Sequence, residues 1–152
     1  MRFNFIDSIV ELEPGERVVA IRDVNPDDDY FRDHFPGFPV VPGVLLTETM
    51  GQAAAKCLDA ERLPRGKAML VKIRSATFRQ WVRPGDRITL SAVIQTNQES
   101  TATAECQAEV EGKTVAQANL LFSFVPIETL SPEYRDEVLD SFLAARESVH
   151  GE

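Results

Sequence analysis

Residues 34–52, HFPGFPVVPGVLLTETMGQ, hold the groups in this chain best suited to chemistry. His34 opens a loop stiffened by Pro36, Pro39 and Pro42, and a histidine takes or gives a proton near neutral pH. Glu48 follows fourteen residues later as the only charge between Gly43 and Ala55. An apolar setting favours a protonated carboxyl, which can donate. Between the two lies Pro42-Gly43, a helix start whose backbone N–H groups have no intrahelical partner and whose dipole end is positive. A carbonyl oxygen held there is polarised, and such a donor contributes on the order of 3 kcal/mol to a transition state in which charge builds on that oxygen. A base for a carbon acid, an acid for a departing hydroxyl and an oxyanion site between them are what elimination of water from a hydroxyacyl compound requires. Val44, Glu48 and Gln52 are spaced four apart and share one face of the helix.

The elements that position these groups follow from the pattern around them. Residues 4–13 and 17–24 read as strands joined at Pro14-Gly15. Residues 25–33 read as an acidic loop with one helical turn near Tyr30. Residues 44–60, rich in Leu, Met and Ala, form a helix apolar on almost every side, which its own fold must enclose. Residues 68–82, 87–96, 100–111 and 113–125 are four further strands, with turn chemistry at Pro84-Gly85-Asp86, Asn97-Gln98 and Glu111-Gly112. A second helix is expected from Ser131 as cap and Pro132 as first residue. Its stripe of Tyr134, Val138, Leu139, Phe142 and Leu143 is expected to pack on its own domain, with a subunit contact as the alternative. The fold class is α+β: one long helix wrapped by an antiparallel sheet.

Composition narrows the classes of function. A chain of 152 residues suits one domain, covering 1–152, with a core over 1–125 and a helical extension over 126–152. An apolar share of 43% and a charged share of 26% are those of an ordinary globular protein. No segment reads as a membrane span or a signal peptide, so a cytoplasmic location is expected. Cys57 and Cys106 have neither metal nor disulfide spacing and are expected to be reduced and partly buried. The acidic run Asp27, Asp28, Asp29 and Asp33 fits no metal-binding loop, and no metal is expected. A net charge of −8 argues against nucleic acid as partner. Residues 61–88 nevertheless carry eight Arg or Lys against two acids, a net +6 that leaves −14 on the rest. A basic patch on an acidic protein points to docking of a specific acidic partner.

The block HFPGFPVVPGVLLTETMGQ resembles the signature of the β-hydroxyacyl-acyl carrier protein dehydratases of fatty acid synthesis, a hot-dog fold family. The similarity runs from the LEPG turn through Phe78-Arg79 and Val82-Arg83-Pro84-Gly85-Asp86 to about Val125, roughly four-fifths of the chain. It implies a lyase in which His34 and Glu48 are catalytic and come from different subunits, in a homodimer or a trimer of dimers. It implies that the Gly43 N–H binds the thioester carbonyl, with Gln52, Val44 and Phe35 at the substrate site. The acyl chain would arrive on the phosphopantetheine arm of acyl carrier protein, with no other cofactor. The carrier would dock on basic residues, for which Arg79, Arg83 and Arg87 are candidates, with Lys72 and Arg74 behind them.

The sequence departs from the family's usual pattern at Thr49 and Gly51, at Lys72-Ile73-Arg74 in place of Gly-Ile-Asp, and at Trp81 in place of proline. Three alternatives remain: a dehydratase that also isomerises the double bond, although that branch carries aspartate at the Glu48 position; a hot-dog thioesterase; and a non-catalytic carrier-binding subunit.

Overall fold

The structure, a computed structural model, describes residues 2–62 and 66–150, the last two as backbone only. Six strands form one antiparallel sheet: β1 (Ser8–Glu13), β2 (Arg17–Asp23), β3 (Gly66–Phe78), β4 (Arg87–Asn97), β5 (Thr101–Val110) and β6 (Lys113–Pro126). Their order across the sheet is β1-β2-β4-β5-β6-β3, so β1 and β3 are the edges. The helix α1 (Gly43–Arg62) lies across one face and touches all strands from β2 to β6. This is the expected hot-dog arrangement.

Side-chain size explains how close the helix comes. Where α1 crosses the central strands, the sheet presents Ala104, Ala108, Ala116 and Ala118, all fully or nearly buried. The helix answers with Gly51, Ala53 and Ala54. Larger side chains (Leu58, Leu90, Leu120, Phe122) fill the flanks and complete one core. Alternation holds along β4 and β6, with buried Ile88, Leu90 and Ala92 in one and Ala116, Ala118, Leu120 and Phe122 in the other.

β3 is different. From Val71 to Phe78 it is exposed or nearly so, and residues 71 and 74 are extra residues in bulges against β6. A thirteen-residue strand with one side unpaired is long for an edge.

The C-terminal helix departs from expectation. Ser131 forms only a turn, accepting the Glu133 N–H at its hydroxyl and the Tyr134 N–H at its carbonyl. The helix α2 (Glu137–His150) begins six residues later. Its cap is Asp136, whose carboxylate accepts the Leu139 N–H at 3.0 Å. The same carboxylate takes two contacts from Lys56 on α1, at 2.7 and 2.8 Å, with both side chains about nine-tenths buried (10% and 9% exposed). That ion pair fixes where the extension meets the core, and Leu139 enters the core fully buried. The first strand is also shorter than expected, because residues 3–5 leave the sheet and run beside α1.

Both cysteines are free and buried. Burial pushes the Cys57 thiol up to about 11 and the Cys106 thiol up to about 12.

Candidate functional site

The loop that carries His34 is closed by its own backbone. Phe35 and Phe38 exchange hydrogen bonds, Phe35 N–H to the Phe38 carbonyl at 2.9 Å and Phe38 N–H to the Phe35 carbonyl at 2.8 Å. The turn between them is Pro36-Gly37, where Gly37 has φ +75° and spares a side chain the left-handed strain. The His34 carbonyl accepts the Val40 N–H at 2.9 Å, while the Val41 N–H reaches the Val82 carbonyl at 2.8 Å and ties the loop to the segment before β4. The peptide bond between His34 and Phe35 is cis.

The imidazole is held in one tautomer. Its Nδ1 lies 3.0 Å from the Val40 carbonyl, which can only accept. Nδ1 therefore carries a proton, and in the neutral ring the lone pair is on Nε2. The Phe35 ring stacks on the imidazole at 4.2 Å. His34 is half-buried.

At the start of α1, the Pro42 carbonyl accepts the Leu45 and Leu46 N–H groups at 2.9 and 3.1 Å. Among the described residues the Gly43 and Val44 N–H groups have no backbone acceptor, leaving two donors at the positive end of a twenty-residue helix. Space is tight at Gly43, where a Cβ would lie 3.1 Å from the Phe78 ring.

Glu48 lies one turn further along. Its Oε1 accepts a hydrogen bond from the Gln52 Nε2 at 3.2 Å. Gln52 is itself clamped by residues 3–5, its Oε1 accepting the Phe5 N–H at 2.8 Å and its Nε2 donating to the Phe3 carbonyl at 3.0 Å. The spacing of Glu48 and Gln52 on one face was legible. The clamp joins positions forty-seven and forty-nine residues apart, and no local pattern signals it.

The expected enclosure of α1 fails at its first turn. Val44 is 76% exposed and Glu48 only half-buried, because the sheet of this chain covers the helix from Leu46 onward. Among the described residues no hydrogen bond joins His34 to Glu48 within the chain. Beside these groups Phe35, Phe78 and Trp81 are uncovered apolar side chains, the last 67% exposed, and Ile73 on β3 is exposed as well. An uncovered apolar patch of this kind marks an interaction surface.

The cations of the basic segment differ in what they contact. Arg62 donates to Asn97, Gln98 and Glu99 at the opposite end of α1, and Lys67 pairs with buried Asp59, so both are structural. Arg65 lies outside the described residues. Arg87 holds Asp23 through two contacts of 2.7 and 3.1 Å, and its charge is locally balanced. Lys72 and Arg74 are exposed on β3 and make no ion pair among the described residues. Arg79 donates twice to the neutral Gln117 and Arg83 lies over the Phe38 ring at 5.3 Å, and among the described residues neither makes an ion pair. Both line a cavity of about 620 Å³ with Phe78, Gln80 and Trp81. The Trp81 ring meets Phe38 edge-on at 4.9 Å, which puts this cavity directly beside the His34 loop.

The chain is similar to known proteins in sequence and in fold. The FabA-like domain family matches residues 1–119. A 3-hydroxyacyl-[acyl-carrier-protein] dehydratase FabZ of Lactobacillus helveticus is 40% identical over 119 residues, spanning 78% of this chain and 80% of that one. The protein of the same description from Enterococcus faecalis is 41% identical over 121 residues, spanning 79% and 86%. Among solved structures, the E. coli PaaI protein of the phenylacetic acid degradation operon superposes with a TM-score of 0.62 at 16% identity, over 78% of each chain. That last likeness is one of fold alone.

Proposed function

The chain belongs to the FabA-like family, among the FabZ-type 3-hydroxyacyl-[acyl-carrier-protein] dehydratases, and on that premise we propose how its own residues remove water from a (3R)-3-hydroxyacyl thioester of acyl carrier protein. The observation that carries the reading is the hydrogen bond of His34 Nδ1 to the Val40 carbonyl, because in the neutral ring it leaves the basic lone pair on Nε2. The Gly43 N–H holds the thioester oxygen, and Nε2 takes a proton from C2. The C3–O bond breaks as Glu48 delivers a proton to the departing hydroxyl, and the C2–H electron pair becomes the C2=C3 double bond. The products are water and a trans-2-enoyl thioester. His34 returns its proton and Glu48 regains one before the next cycle. The thioester itself acidifies C2, so the step is written without a metal or redox cofactor.

The functional unit in this reading is a homodimer, or three such dimers, in which Glu48 faces the His34 of the partner subunit. Its support is the unpaired edge of β3 and the uncovered start of α1, both of which a second copy would cover. The acyl chain then runs between the two copies over Val44, Ile73 and Phe78. The phosphopantetheine arm enters by the cavity at Trp81, and the acidic carrier docks on Arg79 and Arg83, the two cations there that make no ion pair among the described residues. Arg87 contributes less, since Asp23 balances it. The setting is cytoplasmic; no helix among the described residues is long and apolar enough to cross a membrane.

Mass spectrometry of a carrier-bound (3R)-hydroxyacyl chain tests the reading. Wild type should remove one water, with His34→Ala and Glu48→Gln slower by about a hundredfold or more. Free acid as product would mean hydrolysis, a cis-3 isomer would mean added isomerase activity, and carrier binding without turnover would mean a silent subunit.

A further inference from the structure

Arg22 stands where alternation along β2 would place an apolar residue. Val18 and Ala20 point into the core, and Arg22 continues their face. A cation directed inward is costly unless hydrogen-bonded and paired. Its side chain is 13% exposed, and its main partner Asp28 is 12% exposed. The Nη2 donates to Asp28 Oδ2 at 3.1 Å, and Nη1 lies 3.7 Å from Asp7. The guanidinium also sits 5.5 Å from the centre of the Phe5 ring.

Two of these partners, Asp28 and Phe5, each lead to one of the two catalytic groups. Asp28 Oδ2 also accepts the Tyr30 hydroxyl at 3.2 Å, and the Tyr30 carbonyl accepts the His34 N–H at 3.0 Å and the Asp33 N–H at 3.2 Å. Burial and the neighbouring Asp28 push the Tyr30 hydroxyl up to about 12, so it stays a donor. On the other side, the Phe5 N–H holds the Gln52 amide, and Gln52 holds Glu48. The single inward cation of β2 thus lies between the turn that carries His34 and the clamp that orients Glu48.

We propose that Arg22 is a positioning residue for the reaction, setting His34 through Asp28 and Tyr30 and Glu48 through Phe5 and Gln52. The inference rests on the dehydratase reading above. It touches no substrate atom and alters no step; it sets the geometry in which the step occurs, where a misplacement of about 1 Å can lower a rate roughly a hundredfold.

The test uses the full chain with a carrier-bound hydroxyacyl substrate. Arg22→Met keeps the stem and removes the charge; Arg22→Lys keeps the charge. Rates are taken per folded molecule, with the folded fraction read from thermal melts, and the His34 tautomer is read from ring ¹⁵N shifts. Arg22→Met should lower kcat about tenfold or more with KM within about twofold, and the Nδ1–H tautomer should lose its dominance. Arg22→Lys should recover most of kcat. Should Arg22→Met not fold, Tyr30→Phe removes only one hydroxyl and should still lower kcat several-fold. Unchanged kcat per folded molecule and an unchanged tautomer in the folded variants would overturn the proposal and leave Arg22 a purely structural cation. Failure of wild type to remove water would instead overturn the function itself, an outcome seen before any variant is compared.

Discussion

Replacing Lys56 by methionine should loosen the C-terminal helix by an amount that can be worked out in advance. Methionine preserves the volume of the lysine stem but leaves Asp136, 9% exposed, without its two contacts at 2.7 and 2.8 Å. Removing one partner of a buried pair typically costs about 3–5 kcal/mol. Asp136 keeps the Leu139 N–H and the positive end of α2, which together return about 1 kcal/mol and place the loss near the lower bound, about 3 kcal/mol. In a chain of 152 residues each kcal/mol moves the midpoint by about 2–4 °C, so Tm should fall by about 6–12 °C. Adding Asp136→Asn removes the orphaned charge but keeps an oxygen for the cap, and should restore most of the loss. Differential scanning calorimetry of the two variants is the assay. A fall of less than about 2 °C for Lys56→Met, or no recovery in the double variant, would refute the idea that this ion pair anchors the extension.

Two further outcomes follow from charges. Burial raises the Asp59 carboxyl despite Lys67 and the Ala68 N–H, so the folded chain binds that proton more tightly than the unfolded chain. Stability from this group is therefore greatest below about pH 4 and is lost as pH rises through the folded value, a slope that Asp59→Asn should lack. Melts across a pH series check it, and a wild type that gains on the variant with rising pH would show that Lys67 outweighs burial. Arg83→Glu should weaken carrier binding several-fold at low salt and less at high salt, whereas Arg87→Glu should do less because Asp23 already balances that side chain. Equal effects in titrations at two ionic strengths would move the docking surface toward β4.

The parts of the site legible in the sequence are those written in local pattern. Glu48 stands alone in an apolar helix, Gly43 follows a proline at its start, and His34 opens a loop of prolines, so each stands out as a candidate within a few residues. What could not be read depends on partners far along the chain. The helix α2 starts at Glu137 and not near Pro132 because Lys56, eighty residues away, holds Asp136 in the capping position. The count of positive charges between residues 61 and 88 does not reveal which of them are already engaged, and Arg62 and Arg87 are occupied by groups thirty-five and sixty-four residues distant. Arg22 carried a local sign after all, a cation on the apolar phase of a strand, but only the register of β2 with β4 fixes that phase.

The state of the two cysteines has a chemical consequence for an enzyme that makes enoyl thioesters. Such products are Michael acceptors, and a thiolate adds to them at C3. With Cys57 pushed up to about 11, roughly one such thiol in ten thousand is ionised at pH 7, and with Cys106 pushed up to about 12 the fraction is smaller still. Both sulfurs are also shut inside the sheet–helix core, Cys57 against the Glu13 carbonyl at 3.5 Å. A catalyst that releases an electrophile on every turnover is thereby protected from alkylating itself.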